Sequence, residues 1–186
     1  MRRKDREMDR DFGLGVIDNS PYAVLSLVDG NNRAYAVPIS PARVGNVLYI
    51  HSAKEGHKID LIKNNARVVL TFVGNVQVPA PIKEEDFIAA KDDNHLAVLT
   101  SKHFTTEFES AIVVGSAVIL EEDREKMEGL RAISQKYTPK NMSYFDVAAK
   151  ASMDRTTVIK IEIKEITAKR KKYDKNGDEM KWGRME

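Results

Sequence analysis

The stretch Thr156–Thr167, TTVIKIEIKEIT, alternates apolar and charged side chains with a period of two. Val158, Lys160, Glu162 and Lys164 fall on one side, and Ile159, Ile161 and Ile163 on the other. A helix, with a period of 3.6, would scatter the three isoleucines around its axis, whereas a strand gathers them on one face. This segment is a half-buried strand of the kind that closes the wall of a barrel.

The first seventy residues supply its partners. Tyr22–Asp29 (YAVLSLVD) places Ala23, Leu25 and Leu27 on one face and Val24, Ser26 and Val28 on the other. Gly30-Asn31-Asn32 tolerates the positive φ of a tight turn, and Arg33–Ser40 (RAYAVPIS) returns as a second strand, so the two form a hairpin. Pro38 lies inside that return strand and has no N–H for a ladder, which places it at a sheet edge or a gap, where a ligand can meet the backbone. Gly45-Asn46 makes the next turn, Val47–Ser52 a third strand, Lys54–Asn64 a short helix, and Arg67–Val73 a β-branched fourth strand. A β-β-β-α-β order with short turns points to an antiparallel barrel rather than a parallel sheet. Ahead of it, Met8, Phe12 and Val16 at spacings of four predict an amphipathic helix over residues 2–16.

The second half reads less evenly. Residues 74–95, with Pro79, Pro81 and rising charge, are expected to form a loop with one helical turn, and His95 and His103 are each expected to be solvated in polar loops. Leu96–Ser101 and Phe104–Glu121 are expected as strands, the longer one bent or bulged at Gly115. Glu122–Tyr137 is a helix ended by Pro139, and Tyr144–Ser152 a second. Tyr35, Tyr49 and Phe72 sit at core spacing. The pattern divides the chain into one domain over 1–168 and a polar C-terminal tail over 169–186, where the lone Trp182 stands out.

Composition narrows the functional classes. Thirty Lys and Arg against 28 Asp and Glu leave a net charge of +2, too little to point to nucleic acid although both ends are basic. With no cysteine there is no disulfide, no thiolate metal site and no cysteine nucleophile. That usage fits a reducing cytoplasm, and no apolar run approaches the roughly 20 residues of a membrane helix. No HExxH, GxSxG or Walker lysine loop is present, and a metal site is not expected.

The informative stretch is VLYIHSAKEGHKIDLIKN, Val47–Asn64. A strand ends in His51 and Ser52, which offer an imidazole and a hydroxyl. Gly56 lets backbone approach a ligand closely. His57 and Lys58 then open a helix whose N-terminal amides and dipole favour an anion. Lys58 opposes that dipole, and an anionic ligand removes the conflict. The combination is a phosphate-site signature.

The order hairpin, strand, His51-Ser52-Ala53, Gly56-His57-Lys58, helix, strand resembles the pyridoxamine 5'-phosphate oxidase-like FMN-binding split barrels, and within them the nitroimidazole-resistance branch. Tyr35–Ser40 (YAVPIS), Leu48–Ala53 (LYIHSA), Gly56–Asp60 (GHKID) and Phe108–Gly115 (FESAIVVG) carry the likeness, together with the basic start Met1–Glu7, across roughly residues 1–165. It implies a mainly β (β plus α) fold: a six- to seven-stranded antiparallel split β-barrel with peripheral helices. It further implies that His51, Ser52, His57 and Lys58 hold the FMN phosphate. The isoalloxazine would lie along Val37, Pro38, Ile39 and Ser40, and Ser110 would face the flavin from the long strand. The flavin site would lie between two subunits of a homodimer. His51 is also implied to sit near the substrate, as the candidate proton donor, so the phosphate role and the substrate-side role compete for this one residue. The resemblance has its departures: family oxidases have Arg-Lys where this chain has His57-Lys58, and Tyr-Thr where it has His51-Ser52, and residues 74–107 differ from the typical pattern. The arginine- and tryptophan-bearing tail that binds pyridoxal phosphate has no matching motif around Trp182 and Arg184. These departures weigh against vitamin B6 oxidation. The expectation is a cytoplasmic FMN-dependent oxidoreductase of the nitroimidazole-reductase type acting on a small aromatic substrate, without nucleic acid or membrane. The alternative is a flavin- or haem-binding split barrel without nitroreductase activity.

Overall fold

A computed structural model of the chain describes residues 2–92 and 95–185. Its strands are β1 (Glu7–Met8), β2 (Ala23–Val28), β3 (Ala34–Ile39), β4 (Ala42–Val44), β5 (Val47–Ala53), β6 (Arg67–Gln77), β7 (Glu107–Ile119) and β8 (Thr156–Lys171). Its helices are α1 (Arg10–Asn19), α2 (His57–Asn64), α3 (Glu84–Asp92), α4 (Leu96–His103), α5 (Asp123–Tyr137) and α6 (Phe145–Ser152). The strands form one sheet in the order β3-β2-β6-β7-β8-β5-β4, with β1 added beside β8. Every strand pair is antiparallel. The sheet does not close: β3 and β4 are its two ends.

Alternation builds the core. Ala23, Leu25 and Leu27 of β2, Val68, Leu70 and Phe72 of β6, Ala111, Val113 and Ala117 of β7, and Ile159, Ile161 and Ile163 of β8 are all buried in one cluster. Each such valine, leucine, isoleucine or phenylalanine removed from water contributes about 1.5–3 kcal/mol, and each alanine less. Helix α2 adds Ile59, Leu61 and Ile62 to the same cluster, so its orientation is fixed by burial. The β7–β8 register shifts between Val114 and Gly115, the bulge expected there. A Cβ on Gly115 would lie 2.8 Å from the Glu162 carbonyl oxygen, so this crossing requires glycine.

Several expectations change. The strand count is eight among the described residues rather than six to seven, because the short β1 and β4 join the sheet. The helix expected over 2–16 begins at Arg10, where the Asp9 carboxylate accepts the Phe12 N–H at 2.8 Å and caps it. Glu7 and Met8 pair instead with Lys169 and Ala168, because β8 runs past the residues that β5 covers and leaves an open edge there. Leu96–Ser101 is not a strand but lies in α4, and α3 occupies part of the expected 74–95 loop. A short apolar run cannot settle strand against helix by periodicity, and no residue of α4 is buried. Positions 93 and 94 of that loop lie outside the described residues. His103 therefore sits on α4, with Nδ1 2.9 Å from the Leu99 carbonyl, and His95 immediately precedes it. Val158, placed on the solvent side by alternation, is fully buried because α5 lays Gly129 against it. β8 continues to Lys171, past the expected start of the tail at 169, and Met180 is buried further on.

Candidate flavin site

Three segments meet at the site. β3 is the terminal strand of the sheet, and Pro38 stands opposite Val24 on it, so the edge reading of that proline holds. Along β3 Val37 is half-buried, Pro38 exposed and Ile39 buried, with exposed Ser40 just beyond the strand. An edge strand leaves half of its backbone polar groups without strand partners.

At the end of β5, His51 pairs with Val158 and Ser52 with Thr157 of β8. His51 is exposed at the surface. Partial desolvation, reinforced by the nearby Lys58 ammonium, lowers its pKa below the ordinary histidine value. Lys58 is half-buried and its own pKa is lowered by that burial. Among the described residues no carboxylate forms an ion pair with it.

Gly56 precedes α2 with φ 123°, a conformation that side-chain-bearing residues rarely adopt. The space beside it is open: nothing lies within 4 Å of where a Cβ would stand. Its carbonyl accepts the amides of Ile59 at 2.8 Å and Asp60 at 3.2 Å, and among the described residues no side chain caps the helix. The amides of His57 and Lys58 are left without a partner among the described residues. Free first-turn amides, an unpaired ammonium and an open glycine turn suit a phosphate.

The His57 ring meets the Tyr35 ring of β3 edge to face, with centroids 4.9 Å apart and planes at 85°. Tyr35, read from sequence as core, is half-buried against the core and also faces the site. The signal was available, because alternation puts Tyr35 on the same face of β3 as Val37 and Ile39.

Ser110 lies elsewhere. It is buried, on the outward face of β7, opposite Val73 and Lys169. It shares a groove of about 350 Å³ with Thr71, Phe108, Ile112 and Lys169. Strands β6 and β2 separate β7 from β3, three spacings of about 4.8 Å each. Within one chain His51 thus lies near the Lys58 charge and His57 meets β3 through Tyr35, while Ser110 is held apart on β7. Lys169, whose ammonium lies 5.2 Å from the Phe108 ring centroid, is a groove residue that its charged sequence context concealed. Among the described residues no cluster of acidic and histidine side chains is arranged to hold a metal, and no helix is long and apolar enough to cross a membrane.

Comparison with known proteins bears on this arrangement. No curated protein matches the chain. A candidate 5-nitroimidazole antibiotic resistance protein from Bacteroides thetaiotaomicron superposes with TM-score 0.65 at 22% identity, covering 87% of this chain and 84% of its own. An FAD and haem binding protein from Mycobacterium smegmatis gives 0.68 at 17% identity, covering 89% and 73%. The flavocytochrome Anf3 from Azotobacter vinelandii gives 0.67 at 17% identity, covering 91% and 72%. At these identities the likeness is one of fold. The sequence itself carries the assignment: residues 14–170 match the model of the pyridoxamine 5'-phosphate oxidase family, and the chain belongs to that family.

Proposed function

We propose that this chain is an FMN-binding oxidoreductase of the nitroimidazole-reductase type, acting as a homodimer on a small aromatic substrate. The observation that carries the reading is the corner itself: in a family member, the amides of His57 and Lys58, free among the described residues, open α2 just after an open glycine turn, with the Lys58 charge near His51 and the His57 ring against Tyr35 of edge strand β3. His51, Ser52, His57 and Lys58 hold the phosphate, and Val37, Pro38, Ile39 and Ser40 line the ring. The fit is chemical, since these groups are donors and cations and no acidic side chain pairs with Lys58 among the described residues.

FMN, when bound, supplies the electron-pair transfer. The chain supplies position, exclusion of water and a proton. His51 is the proton donor, held by β5 at the border of the phosphate corner. Ser110 contacts flavin from its groove on β7, and its distance from β3 within one chain supports a site completed by a second copy. The reading places the protein in the cytoplasm, with no nucleic-acid or membrane partner.

A second reading is favoured by two of the structural neighbours, a flavocytochrome and an FAD and haem binding protein. In it the chain holds flavin or haem without nitroreductase turnover. A visible spectrum of the purified protein, after FMN addition and desalting and separately after haemin addition, separates the two. Retained, shifted flavin bands, together with reoxidation of the dithionite-reduced, desalted flavoprotein by a nitroimidazole under anaerobic conditions, support the first. A Soret band with no nitroreductase activity supports the second, and retention of neither ligand removes both.

A further inference from the structure

We infer that Tyr35 is a positioning residue that braces the His57 imidazole for the flavin phosphate. The inference rests on the phosphate reading given above and assigns a role to a residue outside the proposed ligand set. His57 is exposed and makes no side-chain hydrogen bond among the described residues. Its orientation therefore depends on the edge-to-face contact with Tyr35, at 4.9 Å and 85°. Tyr35 is itself fixed: it sits on β3 opposite Leu27 and packs against the buried core. The core-packed ring of an edge strand thus holds an exposed ring at the first position of α2.

A free histidine side chain loses rotamer entropy when it closes on a ligand, and a contact already present in the free protein removes part of that loss. Aromatic pairs in this geometry contribute enough to change affinity by roughly threefold to tenfold. The Tyr35 hydroxyl makes no hydrogen bond among the described residues, so the ring alone is the brace and phenylalanine preserves it.

Binding of FMN and of riboflavin, which lacks the phosphate, separates this role from a structural one. Titrations use the full chain as wild type, Tyr35→Leu, Tyr35→Phe, His57→Ala and the Tyr35→Leu/His57→Ala double variant. The brace requires a roughly threefold to tenfold loss of FMN affinity in Tyr35→Leu. It also requires unchanged riboflavin affinity, recovery in Tyr35→Phe, and no added loss when His57 is already alanine. Equal losses for FMN and riboflavin, or a full Tyr35→Leu effect in the His57→Ala background, overturn it and assign Tyr35 to the ring site or the fold. Wild-type preference for FMN with Tyr35→Leu unchanged overturns the brace alone. A wild type that binds FMN no better than riboflavin removes the phosphate reading and the brace with it.

Discussion

Arg6 donates its Nε–H to Glu179 Oε1 at 2.5 Å, joining residues 173 positions apart, with both side chains less than a fifth exposed. Around this pair, Lys181 lies 3.5 Å from Glu179 and 3.8 Å from Asp5, and the Trp182 amide donates to the Asp5 carbonyl at 2.7 Å. The two ends of the chain are clasped. An exposed surface pair contributes little, but this one is largely shielded from water. Arg6→Ala is expected to release the tail from β1 and β8. Trp182 is the only tryptophan, and its fluorescence anisotropy reports the release directly; unchanged anisotropy would mean that other contacts hold the tail.

Acid should open the same clasp. The hydrogen bond from Arg3 holds the Asp5 carboxyl down to about 2. Burial alone would raise Glu179, but Arg6 and Lys181 outweigh it and hold that carboxyl low. Both groups are therefore more readily ionised in the folded state than in the unfolded one. Their stabilisation is complete above the ordinary carboxylate range, near about 4, and fades as pH falls towards about 2. Trp182 anisotropy is expected to fall through that window, and earlier at high salt.

Lys58→Ala should weaken FMN roughly tenfold to hundredfold, the usual range for a charge-assisted hydrogen bond to phosphate. Riboflavin affinity should stay near that of the wild type. Paired titrations check this, and equal losses for the two ligands would remove Lys58 from the phosphate site.

His51 gives a pH dependence whose direction follows from its surroundings. In the ligand-free chain desolvation and Lys58 lower its pKa, and a phosphate bound beside Lys58 acts in the opposite sense, so its imidazole takes up a proton on acidification in either state. If His51 donates the proton, turnover at saturating flavin should rise as pH falls through the range in which its imidazole becomes charged. The rise should vanish in His51→Ala. A His51→Ala protein with FMN bound and an unaltered pH–rate profile would assign the proton to another group.

Gly115→Ala should destabilise the fold by about 1–3 kcal/mol. The added methyl would meet Ile161 Cγ2 at 2.7 Å and the Glu162 carbonyl oxygen at 2.8 Å, and a strand backbone cannot yield as a flexible side-chain end can. Thermal unfolding measures the effect, and a wild-type melting temperature would show that the bulge relaxes at little cost.

Much was decided locally. The alternation of Ile159, Ile161 and Ile163, the Gly30-Asn31-Asn32 turn, the bulge at Gly115 and the edge position of Pro38 are each properties of a few adjacent residues, and each was legible in the sequence. The pairing of His51 and Ser52 with the start of α2 was legible too, because a short loop keeps them close. The tertiary structure decided what depends on distant partners. Met8 entered a strand because β8 left an edge open, and Val158 was buried by α5, which folds back onto β8. Leu96–Ser101 became helical where no sheet neighbour claimed it. Tyr35 met His57, and Ser110 was set apart from both, through pairings that span most of the chain. Periodicity fixes which face a residue occupies, but only packing fixes what stands opposite that face.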